Sequence, residues 1–199
     1  ENLIDTTQNV DAFCAVSGSL KAFAVNISKM CNDLRLMSSG PKTGFGEITL
    51  PAKQNGSSIM PGKVNPVIPE VVSQVAFAVV GNDVTITMAA EGGQLELNAF
   101  EPVIFYKLFE SLIALKGAVQ TLTVNCIAGI TANKERCETL VYNSVGIVTA
   151  LCPYLGYKKS AELAKEALAK DVRIRDLILQ YGLMAEEKLN KILDPYSMT

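Results

Sequence analysis

The 199-residue chain contains no histidine. That absence excludes a complete Ser-His-Asp triad or a histidine-based metal site made from these residues alone. Acid-base chemistry here must use other groups or borrow a histidine from elsewhere. Nor is there any C-x-x-C pair: the five cysteines (Cys14, Cys31, Cys126, Cys137 and Cys152) are odd in number and widely spread. They fit free thiols in a reducing cytoplasm better than a disulfide framework or a zinc site. A basic excess is missing too, since the formal net charge is -2. This argues against nucleic acid or an anionic membrane as a general electrostatic partner. No run of about 18 uninterrupted apolar residues occurs, so no membrane span is expected. Glu1 to Asp5 has neither a basic nor an apolar leader character, and nothing reads as a signal peptide.

Apolar residues make up 49% of the chain and charged residues 19%. This is enough apolar material for a core in one large domain or two small ones. Phe13, Val16, Leu20, Phe23, Ile27, Met30, Leu34 and Met37 alternate spacings of three and four, which predicts the seam of a long helix in a bundle. That helix has no convincing start within the sequence, and there is no initiator Met. The expectation is a piece of a longer chain, cut shortly upstream of the helix or within it. Ser38-Ser39-Gly40-Pro41 supplies a stop.

From Gly40 to Pro66 the helical period disappears, while glycine and proline recur. Long connections of this kind are more often functional than incidental. A second helix is predicted from near Pro66 to about Ala90, with Asn65 at its cap and proline in its first turn. It is apolar nearly all round, which implies burial among several other helices. A third is predicted from roughly Pro102 to Cys126, with Phe105, Phe109, Leu112, Val119 and Leu122 as its core face. Little in the sequence signals strands, so the fold class is all-α: a long-helix bundle over residues 1–129, followed by a small helical domain over 130–199. Asn133–Val141, Lys159–Ala169, Ile174–Leu179 and Ala185–Leu193 are the short helices expected there. A DNA-binding arrangement of these helices is disfavoured, because Tyr157–Ile192 carries eight basic residues against six acidic ones.

The connection holds the residues suited to chemistry. By composition alone Gly56 to Pro66 is an ordinary loop. It is not a phosphate-binding P-loop: five residues separate Gly56 from Gly62, Val64 stands where Ser or Thr should hold magnesium, and Pro61 has no N–H. What remains is two adjacent hydroxyls, Ser57 and Ser58, with Lys63 and a helix N-terminus close by. Backbone N–H groups, the lysine ammonium and the helix dipole all favour anions. Such a field suits a carboxylate substrate. It would also stabilise a serine alkoxide, letting a weak base remove a carbon-bound proton.

The pattern G-S-S-x-M-P-x-K-x-N-P, complete from Gly56 to Pro66, resembles the signature loop of the aspartase/fumarase superfamily. The resemblance continues through Asn32–Pro41, Gly46–Pro51 and Val79–Asp83, and covers effectively the whole chain. Thr87–Asn98, Asn133–Glu138 and Asn143–Thr149 are similar to the aspartase branch rather than to class II fumarases. The resemblance implies that Ser57 is the general base at C3 of L-aspartate, and that Ser58 is a donor to the aci-carboxylate intermediate. Lys63 and Asn65 would bind substrate carboxylate. Glu70 would be the catalytic carboxylate that pairs with a histidine, one that family members carry upstream of this stretch. It further implies a small dicarboxylate substrate, no metal or organic cofactor, and a homotetramer with shared sites. Each role has a plainer alternative: Asn65 as a helix cap, Lys63 as a solvated loop charge, Glu70 as an acid favouring the helix dipole. Three functions follow: an ammonia-lyase piece inactive by itself, a fumarase piece, or a non-catalytic helical assembly module.

Overall fold

The computed structural model describes residues 2–40, 42–54, 64–194 and 196. The architecture is all-α, as the periodicity predicts. The chain divides into two compact units, Glu1–Ala132 and Asn133–Thr199.

The first unit opens with α1, Leu3–Gln8, whose Asp5 N–H is capped by the Asn2 side chain. The chain breaks at Asn9 and Val10, then enters α2, Asp11–Met37. The long helix therefore starts within the sequence, at Asp11. No capping side chain marks the point, which is why it was not legible. Next come α3, Val67–Glu91, and α4, Glu101–Asn125. Ser17 on α2 meets Asp83 on α3, while Arg35 meets Glu70, so α2 and α3 run antiparallel. A short connection turns α3 back into α4, and α3 packs between its two neighbours. A two-residue ladder joins β1, Ile48–Thr49, to β2, Thr131–Ala132, pairing Ile48 with Ala132.

Two expected seams are corrected. On α2, Ile27 and Leu34 are buried as predicted, but Val16, Phe23 and Met30 are exposed, and Ser17, Ala24 and Cys31 take the inner positions. Small residues let the α3 backbone approach closely, and Ser17 has a buried partner there. On α4 the buried row is Ile104, Leu108, Ser111, Leu115, Ala118 and Leu122. Phe109, Leu112 and Val119 face outward, and Leu122 alone of the predicted core face is fully buried. Phe105 is half-buried and meets Phe13 edge to face at 5.0 Å. Both helices carry two apolar faces, and periodicity cannot choose between them.

Two apolar clusters fill the unit. One gathers Ala24, Ile27, Cys31, Leu34, Val72, Val79, Leu115 and Leu122. The other gathers Val10, Ile86, Ala89, Ile104 and Leu108. On each long helix, polar residues fall between the two. Ser17 Oγ donates to Asp83 Oδ1 at 2.7 Å, and Lys21 Nζ lies 2.5 Å from Asp83 Oδ2. Asn82 Nδ2 donates to Glu110 Oε2 at 3.0 Å and Ser111 Oγ at 3.1 Å. A buried polar layer of this kind favours one helix register, because a slip would strand its members without partners.

Much of α3 remains uncovered: Phe77, Val84 and Met88 are exposed. The expected burial among several helices is not met within one copy of the chain. Val67–Glu91 and Glu101–Gly129 also contain windows apolar enough to cross a membrane, of which 39% and 22% is buried. These windows pass on length and average hydropathy alone, and the uninterrupted apolar run sought in the sequence is absent from both. Average hydropathy tolerates Asn82, Asp83 and Ser111 where an uninterrupted apolar run does not.

The second unit contains α5 (Lys134–Asn143), a 3-10 turn over Val145–Leu151 leading into α6 (Cys152–Leu155), α7 (Tyr157–Lys170), α8 (Ile174–Gln180) and α9 (Glu186–Ile192). The stretch Val145–Leu155 was not predicted, being too short and apolar to show a period. It supplies Ile147 and Leu151 to a core with Leu163, Leu177, Ile178, Leu189 and Leu193.

Candidate functional site

The long connection leaves α2 through a tight, specified turn. Ser38 Oγ donates to the Arg35 carbonyl, and Ser39 Oγ donates to the Leu36 carbonyl at 2.6 Å. The same Ser39 oxygen accepts the Phe45 N–H at 3.1 Å, and its carbonyl accepts Gly46 N–H at 2.8 Å. Orphan carbonyls at the helix end are thus satisfied, and the chain doubles back at Gly44. A Cβ at Gly44 would lie 2.4 Å from the Ser39 carbonyl oxygen, so only glycine fits.

Ser57, Ser58 and Lys63 lie outside the described residues. The chain is described again from Val64. Asn65 is half-buried in the segment leading into α3. It does not hold the predicted cap position, which belongs to Pro66. Asn65 stands one residue further out, and its carbonyl accepts the Val67 N–H at 2.9 Å. Pro69 is buried in the first turn of α3, where the missing N–H costs nothing.

Glu70 occupies the same first turn, placed to favour the helix dipole. Its carboxylate pairs with Arg35, in the last turn of α2, at 3.7 Å between Nη2 and Oε1. The two helix ends that bracket the connection are therefore joined by an ion pair. Leu50, Pro51, Pro66, Pro69 and Cys126 line a small recess at the start of α3. Among the described residues, no three His, Cys, Asp or Glu side chains cluster as metal ligands.

Three residues have structural consequences that their places in the sequence do not announce. The first is Arg35, in the last turn of α2, where it reaches Glu70. Asp83 is one of two buried acidic or amide residues in mid-α3. Burial raises its pKa, but hydrogen bonds from Lys21 and Ser17, with the lysine charge, more than reverse this and hold the carboxyl below its ordinary value. Asn98 is the third. Its Nδ2 donates to the Ala89 and Ala90 carbonyls at 3.0 and 3.2 Å, and its Oδ1 accepts Phe100 N–H at 2.8 Å. The branch-distinguishing stretch Thr87–Asn98 thus contains the clamp that ends α3 and starts α4. A side chain two positions from a helix end, bonding backwards, leaves no periodic trace in a sequence.

Residues 1–81 match the Lyase family model, and residues 147–199 match the Fumarase C C-terminus model. The aspartate ammonia-lyase of Helicobacter pylori (strain ATCC 700392 / 26695) is 59% identical over 197 residues, covering 99% of this chain and 42% of that protein. The aspartate ammonia-lyase of Bacillus subtilis (strain 168) is 51% identical over 199 residues, covering 100% of this chain and 42% of that protein. The chain therefore spans less than half the length of the curated relatives it matches. Among solved structures, a fumarate lyase:delta crystallin from Brucella melitensis superposes with a TM-score of 0.94 at 50% identity, over 100% of this chain and 43% of that one. A class II fumarase from Schistosoma mansoni gives a TM-score of 0.92 at 35% identity, over 100% of this chain and 41% of that one. With its fold and nearly all its length matched in this way, the chain is similar throughout to lyases of the aspartase/fumarase superfamily.

Proposed function

We propose that this chain is the part of an aspartate ammonia-lyase that carries its serine base. The observation that supports the reading most is the 51% to 59% identity to curated aspartate ammonia-lyases along nearly the whole chain, against 35% to the class II fumarase. In this reading Ser57 removes a proton from C3 of L-aspartate, next to the side-chain carboxylate. The product of that step is an aci-carboxylate, a dianion whose stabilisation is the largest catalytic term. Ser58 donates to it, while Lys63 and Asn65 hold substrate carboxylate near the positive end of α3. Ammonia then leaves C2 and fumarate forms. Glu70 acts with a histidine contributed by another part of the lyase.

The exposed apolar faces of α2, α3 and α4 support assembly with further copies, and the partner reading is a homotetramer with sites shared between subunits. The buried polar layer suits helices packed on protein better than helices facing lipid, and the proposed compartment is the cytoplasm. The chain by itself is proposed to be inactive, since it has no histidine of its own.

The test is Ser57→Ala in the full-length protein, with fumarate followed by absorbance at 240 nm. A loss of at least about 100-fold in kcat is expected for removal of a general base. Unchanged turnover would support the helical assembly module instead. L-malate turned over in preference to L-aspartate would support the fumarase.

A further inference from the structure

We propose that Arg35 is a positioning residue for Glu70, a role that rests on the ammonia-lyase reading above. The two side chains close the gap between the last turn of α2 and the first turn of α3, at 3.7 Å. They stand at the two ends of the connection that carries Ser57, Lys63 and Asn65. Both are partly exposed, 44% for Arg35 and 38% for Glu70, so water screens much of their attraction.

The contact matters for geometry and for local charge. Glu70 sits in a first turn from which its flexible side chain can reach either along the helix or across to α2, and the guanidinium selects the α2 side. A carboxylate beside a dicarboxylate site also adds a negative charge that the substrate must approach. Arg35 offsets that charge from the opposite helix end. Among the described residues no other ion pair joins α2 to the first turn of α3. Arginine suits the task because its planar fork has a direction that a lysine ammonium lacks.

A double-mutant cycle in the full-length enzyme tests this. Arg35→Met is expected to lower kcat/KM about ten-fold, and Arg35→Lys to recover part of the loss. In a Glu70→Gln background, Arg35→Met should change kcat/KM less than about two-fold, because no carboxylate remains to be held or offset. Equal losses in both backgrounds would mean that Arg35 acts independently of Glu70 and would overturn the proposal. So would no loss from Arg35→Met in the unmodified enzyme. Should Glu70→Gln be too slow to follow, the inhibition constant of succinate, read by equilibrium binding, completes the same cycle with the same two outcomes. Failure of the underlying reading looks different: the unmodified enzyme would form no fumarate, or Ser57→Ala would leave its rate undiminished.

Discussion

Ser17 and Asp83, on different helices and 66 residues apart, are joined by a buried hydrogen bond of 2.7 Å. With Lys21 on the other carboxylate oxygen, Asp83 is held from both sides although it is only 5% exposed. This contact sits between the two apolar clusters of the first unit and sets how α2 lies along α3.

Asp83→Asn should destabilise the chain by about 1–3 kcal/mol, because a charged acceptor of two bonds becomes a neutral one. The effect should depend on pH. The folded carboxyl lies below its ordinary value of 3.8, so its contribution is complete above that value and is lost as pH falls through the lower folded one. Urea midpoints for both proteins should therefore differ at pH 7 and converge in strong acid. A difference that persists unchanged into strong acid would refute the assignment.

Asn98→Ala should cost about 1–3 kcal/mol, since it strips partners from two carbonyls at the end of α3 and from one N–H at the start of α4. Asn98→Asp should not restore the lost stability, because a carboxylate cannot donate to those carbonyls. Thermal melts of the two variants would decide the matter.

The corrected seam of α4 separates two neighbouring residues. Leu108 is 7% exposed and Phe109 is 58% exposed. Leu108→Ala should lose about 2–5 kcal/mol of stability. Phe109→Ala should change monomer stability by about 0.5 kcal/mol or less, and weaken association if the outward face meets another copy. Urea unfolding at low concentration and sedimentation velocity read the two effects apart.

Burial pushes the Cys31 thiol up to about 11, with the nearby Cys126 adding to the rise. Burial likewise raises Cys126. Since the thiolate is the nucleophile, both residues should resist Ellman's reagent at pH 8 in the folded protein and react on unfolding. Mass mapping that found Cys31 or Cys126 modified in the folded state would contradict this packing.

The long helices and the family loop were legible because each leaves a local signature, whereas the start of α2 and the stretch Val145–Leu155 leave none. Apolar spacing marks a helix, glycine and proline mark its end, and G-S-S-x-M-P-x-K-x-N-P names its lineage. The first error arose at Ser17, Ala24 and Cys31. A search for large apolar residues passes over small ones, yet close helix approach selects small residues for the inner row. The second arose at Asn65, which looks like a cap. Pro66 takes that position instead, and Asn65 contributes its carbonyl.

By itself the sequence determined that the chain is helical and that its Gly56–Pro66 loop resembles that of the aspartase/fumarase superfamily, with Ser57 as the candidate base. Only tertiary structure decided which face of α2 and α4 turns inward, that Asp83 has two partners, and that Arg35 reaches Glu70. Periodicity is a property of one helix, readable within a few turns. The partner of a side chain depends on where a second helix lies, and that is set by the packing of the whole unit.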